Sequence, residues 1–147
     1  LLGYGYILSE NYIPNIQGKQ SVNEHRIFQQ FTSKDKIGSI SLTHRYRFEQ
    51  RFVEEHFKMR LRYFLAAKIP LIKSKDGHNK FYFSAYNEVF LNTKSTFFDR
   101  NRVYGGIGYQ LNNKIRFEAG YMNQIFESST RDQFNFITFF TFYLKNL

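Results

Sequence analysis

From His56 to Ile69 the chain alternates without a break. Phe57, Met59, Leu61, Tyr63, Leu65, Ala67 and Ile69 form one face, all apolar, while His56, Lys58, Arg60, Arg62, Phe64, Ala66 and Lys68 form the other, which carries the charge at Lys58, Arg60, Arg62 and Lys68. A period of two over such a length predicts a β-strand with one apolar and one polar face. Ser39 to Phe52 repeats the pattern: Ile40, Leu42, Tyr46, Phe48 and Phe52 share a parity with His44 and Gln50, and none of the odd positions from Ser41 to Arg51 is apolar. A helix competes, because Phe48, Phe52, Met59 and Tyr63 fall near a helical stripe and Glu54 and Lys58 stand four residues apart. The unbroken alternation favours strands.

The same rhythm continues along the chain. Lys80 to Asn92 sets Phe81, Phe83, Ala85, Val89 and Leu91 against Tyr82, Ser84, Tyr86, Glu88 and Asn92. Arg102 to Leu111 sets Val103, Ile107, Tyr109 and Leu111 against Arg102, Gly106, Gly108 and Gln110. Lys114 to Ile125 sets Ile115, Phe117, Ala119, Tyr121 and Ile125 against Lys114, Arg116, Glu118, Gly120 and Gln124. Phe134 to Leu144 carries Phe134, Phe136, Phe140, Phe142 and Leu144 on one face. With weaker stretches at Leu2–Leu8 and Val22–Phe31, about eight strands are expected. Turn chemistry separates them at Ser33-Lys34-Asp35-Lys36 with Gly38, at Asp76-Gly77, at Asn112-Asn113 and from Glu127 to Arg131. Ser9 to Gln20, with Pro14 and Gly18, reads as the one longer loop.

Composition narrows the classes. The 147 residues suit one domain, residues 1–147. Phe and Tyr make up 20% of them, which excludes disorder. With no Cys, disulfides, Cys-ligated zinc, iron–sulfur clusters and thiol nucleophiles are excluded. The net charge of +9 is scattered rather than gathered in one block, so it does not mark a nucleic-acid footprint. No apolar run is long enough for a transmembrane helix. Leu1 to Leu8, interrupted by Gly and Tyr and lacking a basic start, is not a secretory signal. A removed leader, or a chain that starts inside a domain, is the expectation.

Alternation alone does not say which face meets water. A soluble sandwich turns the apolar face inward, whereas an outer-membrane barrel turns it toward lipid. Strands of globular proteins average about five or six residues, and a tilted membrane strand needs about 9–11. The runs here last 10 to 14 residues. Slipping the 56–69 segment by one residue would turn Lys58, Arg60 and Arg62 outward, at about 2–4 kcal/mol each near a bilayer midplane. The polar faces are Arg/Glu ladders with Tyr and Gly, suited to a narrow paired interior. The fold expected is therefore all-β, an antiparallel up-and-down transmembrane β-barrel. Two features pull the other way: Trp, common in interfacial girdles, is absent, and the loops do not alternate between long and short.

Five segments in order carry a resemblance. They are His44-Arg45-Tyr46-Arg47-Phe48-Glu49-Gln50-Arg51-Phe52, Arg60-Leu61-Arg62-Tyr63, Asn87-Glu88-Val89-Phe90-Leu91-Asn92, the run from Phe98-Asp99-Arg100-Asn101-Arg102 to Tyr109, and Glu118-Ala119-Gly120-Tyr121-Met122-Asn123-Gln124. Together they resemble an uncharacterised family of Gram-negative outer-membrane β-barrel proteins, known only as a domain of unknown function. The resemblance spans essentially the whole chain. It implies the cell outer membrane as the location and brings no activity or catalytic residue. It also implies that N-terminal strands are missing here, with about twelve strands in the intact protein.

The candidate chemistry is a charge network. Glu49 stands between Arg47 and Arg51, Glu24 is two residues from Arg26, and Glu118 is two from Arg116. With Arg45, Arg60, Arg62, Glu88 and Arg102 these form the candidate luminal network, its charges paired inside a narrow barrel because an unpaired one is costly. Paired carboxylates also suit acid–base catalysis, but no cleft or substrate route is indicated. His25, His44, His56 and His78 lack metal-ligand spacing, so no metal and no cofactor is expected. A Ser–His lipid hydrolase using His44 or His56 lacks a nucleophile motif. Gly105-Gly106-Ile107-Gly108 resembles a phosphate loop, yet alternation runs straight through it, so small residues easing a crowded, curved sheet are the better account. The last strand is Phe-rich, as in barrels whose end is read by assembly machinery, although the Lys145-Asn146-Leu147 tail departs from a terminal aromatic.

The function expected is a non-enzymatic outer-membrane role as scaffold, narrow pore or partner of a membrane complex. The expected partners are outer-membrane lipid, the outer-membrane assembly machinery and another envelope protein, with no nucleic acid. The alternatives are a soluble barrel or sandwich binding a small apolar ligand and, further behind, an outer-membrane lipid hydrolase.

Overall fold

The structure is a computed structural model, and it describes residues 1–12, 18–73, 79–93 and 96–142. Eight strands follow one another: β1 (Leu2–Tyr12), β2 (Lys19–Ile37), β3 (Ile40–Val53), β4 (His56–Lys73), β5 (Asn79–Asn92), β6 (Phe98–Gln110), β7 (Ile115–Ile125) and β8 (Thr130–Phe140). Each pairs antiparallel with its sequence neighbours in the order β1-β2-β3-β4-β5-β6-β7-β8. The sheet curves into a half-barrel with no helix among the described residues. Among the described residues β1 and β8 each pair on one side only, so the sheet has two open edges.

β1, β2, β4 and β6 are longer than alternation alone implied, and β8 begins at Thr130, inside the predicted turn from Glu127 to Arg131. The predicted loop from Ser9 to Gln20 shrinks, because β1 runs to Tyr12 and β2 begins at Lys19. Ser33 to Lys36 is not a turn: these residues stay in β2 and pair with Ser41 to His44. Polar composition misled here because strand pairing, not hydropathy, holds an end that projects past the apolar rows. The actual turn is Gly38-Ser39, and Gly38 supplies the positive φ of 59° that a two-residue hairpin needs. At the β3–β4 turn Glu54 takes that role at φ 51°. Its carboxylate accepts the Asn23 N–H at 2.5 Å, which offsets the backbone cost of a non-glycine residue there. In the β6–β7 turn the Asn112 side-chain oxygen accepts the N–H groups of Lys114 and Ile115 at 2.8 and 2.9 Å. β8 stops at Phe140, leaving Phe142 exposed beyond it. Asp76, Gly77, His78, Leu144 and the 145–147 tail lie outside the described residues.

The two faces are inverted relative to a water-soluble sheet. Arg60 is 5% exposed and its neighbour Leu61 46%. Glu24, Glu49, Glu88, Glu118 and Gln124 are buried on the concave face, while Phe134 and Phe136, Ile107 and Val103, and Tyr46 and Phe31 stand exposed on the convex one. The concave face also holds Tyr82, Phe90, Tyr104 and Met122, the buried hydrophobic residues.

Glycines on β6 and β7 make that concave packing possible. A Cβ at Gly108 would overlap the Tyr82 ring, and one at Gly106 or Gly120 would overlap Tyr104. The tyrosine rings lie flat over these backbones because nothing projects from them. Tyr104 in turn stacks on Tyr86 with centroids 4.9 Å apart. Gly105, on the opposite face, has only ordinary contact with Phe83 at 3.7 Å. Gly108→Ala should therefore destabilise the sheet by about 1–3 kcal/mol through overpacking. Gly105→Ala should be neutral or stabilising, since Gly in a strand is entropically costly. Urea unfolding of the two variants beside the parent measures the contrast; equal midpoints would contradict the packing described.

Candidate functional site

The concave wall of β2 to β6 gathers eight arginines around four carboxylates. The alternation of β3 and β4 aims Arg45, Arg47, Glu49 and Arg51 and then Arg60 and Arg62 to this side, and antiparallel register sets Glu49 directly opposite Arg60. Glu49, fully buried, accepts Arg60 Nη2 at 2.6 Å on one oxygen and Arg62 Nη1 at 2.7 Å on the other. Arg47 and Arg26 approach it at 3.7 and 3.9 Å. Arg62 bridges onward to Glu88 of β5 at 2.6 Å, which also accepts Arg45 at 2.8 Å and has Arg102 at 3.8 Å. Glu24 takes Arg26 and Arg51, both at 2.7 Å.

Register explains why these carboxylates stand where they do. Arg26 lies directly across from Arg51, and Arg47 directly across from Arg62. Like charges opposed in a ladder are destabilising. Glu24 clamps the first pair, and Glu49 sits between the members of the second, so each repulsion is converted into a shared bridge.

One aromatic ring completes the cluster. Phe90, 2% exposed, faces Arg62 on β4 and Arg100 on β6 across the ladder. Four guanidinium carbons lie within cation–π range of its ring: Arg62 at 4.4 Å, Arg102 at 4.8 Å, Arg60 at 5.3 Å and Arg100 at 5.6 Å. Arg45 over Phe64 and Arg47 over Phe28 repeat the motif at 4.4 and 4.3 Å. The ring faces thus share the guanidinium charge with the carboxylates.

Of the residues singled out from sequence, Glu24, Arg26, Arg45, Arg47, Glu49, Arg51, Arg60, Arg62, Glu88 and Arg102 come together here. Arg116 and Glu118 do not. They lie toward the other end of the concave face, where Glu118 accepts the Tyr82 hydroxyl at 3.0 Å and Arg116 stacks over Phe139 at 4.2 Å. Three members were missed: Phe90, Asp99 and Arg100. Phe90 shares the parity of Glu88 and Asn92, which was a usable signal. Asp99 was not legible: a bulge between Phe90 and Leu91, opposite Arg100 and Phe98, lets both Asp99 and Arg100 reach the concave side. Asp99 then meets Arg60 at 2.9 Å and Arg100 at 3.5 Å.

The histidines sit apart from this cluster. His25 Nδ1 meets the Tyr4 hydroxyl at 2.6 Å, and His44 has the Tyr63 hydroxyl at 2.9 Å on Nδ1 and Asp35 at 3.7 Å on Nε2. Both ring nitrogens of His44 thus face groups other than a serine. His78 lies outside the described residues.

Because Glu49 is buried between arginines, Glu49→Ala should cost about 3–5 kcal/mol by stranding buried charge. Glu10→Ala, at an exposed pair with Lys19, should change stability by less than about 0.5 kcal/mol. Denaturant midpoints of the two variants check this, and similar small losses in both would show that the network carries little.

Comparison with known proteins gives one family match. The model described as protein of unknown function (DUF2490) matches residues 1–135. No curated protein matches the chain. No solved structure matches it either.

Proposed function

The chain belongs to that family of unknown function, DUF2490, and from this premise and the inverted sheet we propose that it forms the wall of an outer-membrane β-barrel with a non-enzymatic envelope role. The observation that carries the reading is the burial of Arg60 and Glu49 on the concave face while Leu61 and Phe136, the latter 70% exposed, cover the convex one. In water such a convex face leaves its large side chains unburied at about 25 cal/mol per Å². Against acyl chains the same face is satisfied.

Three details support a lipid environment. A groove of about 730 Å³ on the convex side is lined by Phe31, Tyr46, Phe48, Leu61 and Tyr63 among others, a shape that hydrocarbon fills. Tyr4, Tyr6, Phe52 and Phe57 gather at the end of β1–β4 next to the Glu54 turn, and Phe81, Tyr109, Phe117, Phe136 and Phe140 toward the other end of β5–β8. Tyr and Phe at the rims serve as interfacial girdles without Trp. Polar groups on the convex face also bond to one another, with Asn87 donating to Asn101 at 2.8 Å and Asn123 to Asp132 at 2.6 Å.

An open strand edge cannot stand in hydrocarbon, so closure against β1 and β8 by further strands, about twelve in all, is part of the proposal. The concave charges are engaged with one another, which suits a scaffold, a narrow pore or a partner of a membrane complex better than a catalytic cleft. Expressed in a Gram-negative host, the protein should sediment with outer membranes, resist carbonate extraction and dissolve only in detergent. Leu61→Arg, which puts a guanidinium on the lipid face at about 2–4 kcal/mol, should sharply lower the inserted fraction. Recovery of the parent protein in the soluble fraction without detergent, or unimpaired insertion of Leu61→Arg, would overturn the reading.

A further inference from the structure

The arginine cluster holds a cavity that none of its carboxylates lines. About 230 Å³ in volume, it is bounded by Arg26, Arg51, Arg60, Arg62, Arg100 and Arg102 around the Phe90 ring. That is room for several waters or for one polyatomic anion. We propose that this concave cavity is a binding site for a multivalent oxyanion of the phosphate class.

Three observations carry the proposal. The first is charge. Eight guanidiniums of the concave wall converge on Glu24, Glu49, Glu88 and Asp99, leaving the cluster strongly positive. In a confined, partly buried site that surplus demands anionic charge from elsewhere. The second is donor supply. Each guanidinium offers five N–H donors and each carboxylate about four acceptor positions, so a twofold excess of arginines leaves donors over. Among the described residues Arg100 Nε is buried with no hydrogen-bond partner, and the carboxylate nearest the Arg100 guanidinium, Asp99, is 3.5 Å away. Arg102 spends its Nε on the neutral Gln124 oxygen at 2.9 Å and reaches Glu88 only at 3.8 Å.

The third is direction. Glu24 and Glu49 engage Arg26, Arg51, Arg60 and Arg62 from outside the cavity lining, while the Phe90 face anchors four of the six forks. The arginines are therefore held in place before any anion arrives. Planar forks converging from four strands match the several acceptor oxygens of a tetrahedral anion better than a halide, which offers none. The cavity is on the concave face, away from the apolar convex one, so the anion expected is water-borne rather than a lipid headgroup. None of this depends on what the convex face touches.

The test is calorimetric titration of the detergent-solubilised protein with inorganic pyrophosphate, with inorganic phosphate and short-chain phosphatidic acid as parallel probes. One saturable site per chain is expected for pyrophosphate, weaker for phosphate and weakened further by added salt, with pyrophosphate also raising the thermal midpoint. Arg102→Gln and Arg100→Gln, whose closest carboxylate contacts are the longest of the six at 3.8 and 3.5 Å, should each weaken pyrophosphate binding about tenfold or more, the scale of one charge-assisted contact. Arg116→Gln, at the far end of the concave face, should leave it unchanged. No saturable binding and no thermal shift in the parent protein would overturn the proposal. So would an equal loss in Arg116→Gln, no loss in Arg102→Gln, or binding of phosphatidic acid alone. The parent's thermal shift keeps the test decisive if a variant fails to fold.

Discussion

Neutralising arginines is the constraint that organises this protein. The ladder puts Arg26 against Arg51 and Arg47 against Arg62, arrangements that would push adjacent strands apart. They persist because Glu24 and Glu49 occupy positions from which one carboxylate serves two guanidiniums. Arg62 extends the chain of contacts to Glu88, and Arg60 extends it to Asp99, so strands β2 to β6 are tied by charge as well as by backbone hydrogen bonds. Such a network is unforgiving. Each buried ion is tolerable only while its partners hold their geometry.

Aromatic rings are the second half of that solution. Beside the carboxylates, Phe90, Phe64 and Phe28 present ring faces to guanidiniums. Elsewhere on β5 and β6, and on β7, the chemistry changes character. Tyrosines and glycines replace arginines, with Tyr82 and Tyr104 lying over Gly108, Gly106 and Gly120. The arginine cluster and the tyrosine–glycine packing thus occupy different stretches of the same strands β5 and β6. The membrane reading and the anion site draw on different faces of this one sheet, the convex apolar rows and the concave basic cavity.

Much of the fold was legible in the residues. Alternation in β3 and β4 marked their faces correctly, because a side chain's side of a strand follows from its own parity and nothing remote. Gly106 and Gly108 do relieve a crowded sheet, as the sequence suggested, while Gly105 has only ordinary contact. Strand ends were read less well. Ser33 to Lys36 looked like a turn and is strand, held by pairing to Ser41 to His44, and β4 continues through Pro70 with register shifts on either side of Ile72. Asp99 escaped notice because a bulge breaks parity at the point where it matters.

The chain by itself therefore determined that long strands form, which residues share a face, and that one face is apolar and the other charged. Those properties are local, set by neighbours one and two positions away. Tertiary structure decided which face curves inward, which guanidinium meets which carboxylate, and that Arg116 and Glu118 stand apart from the other charges. Those outcomes depend on register between strands, on a bulge and on curvature. They arise only when residues as distant in sequence as Arg45 and Glu88 are brought within 2.8 Å.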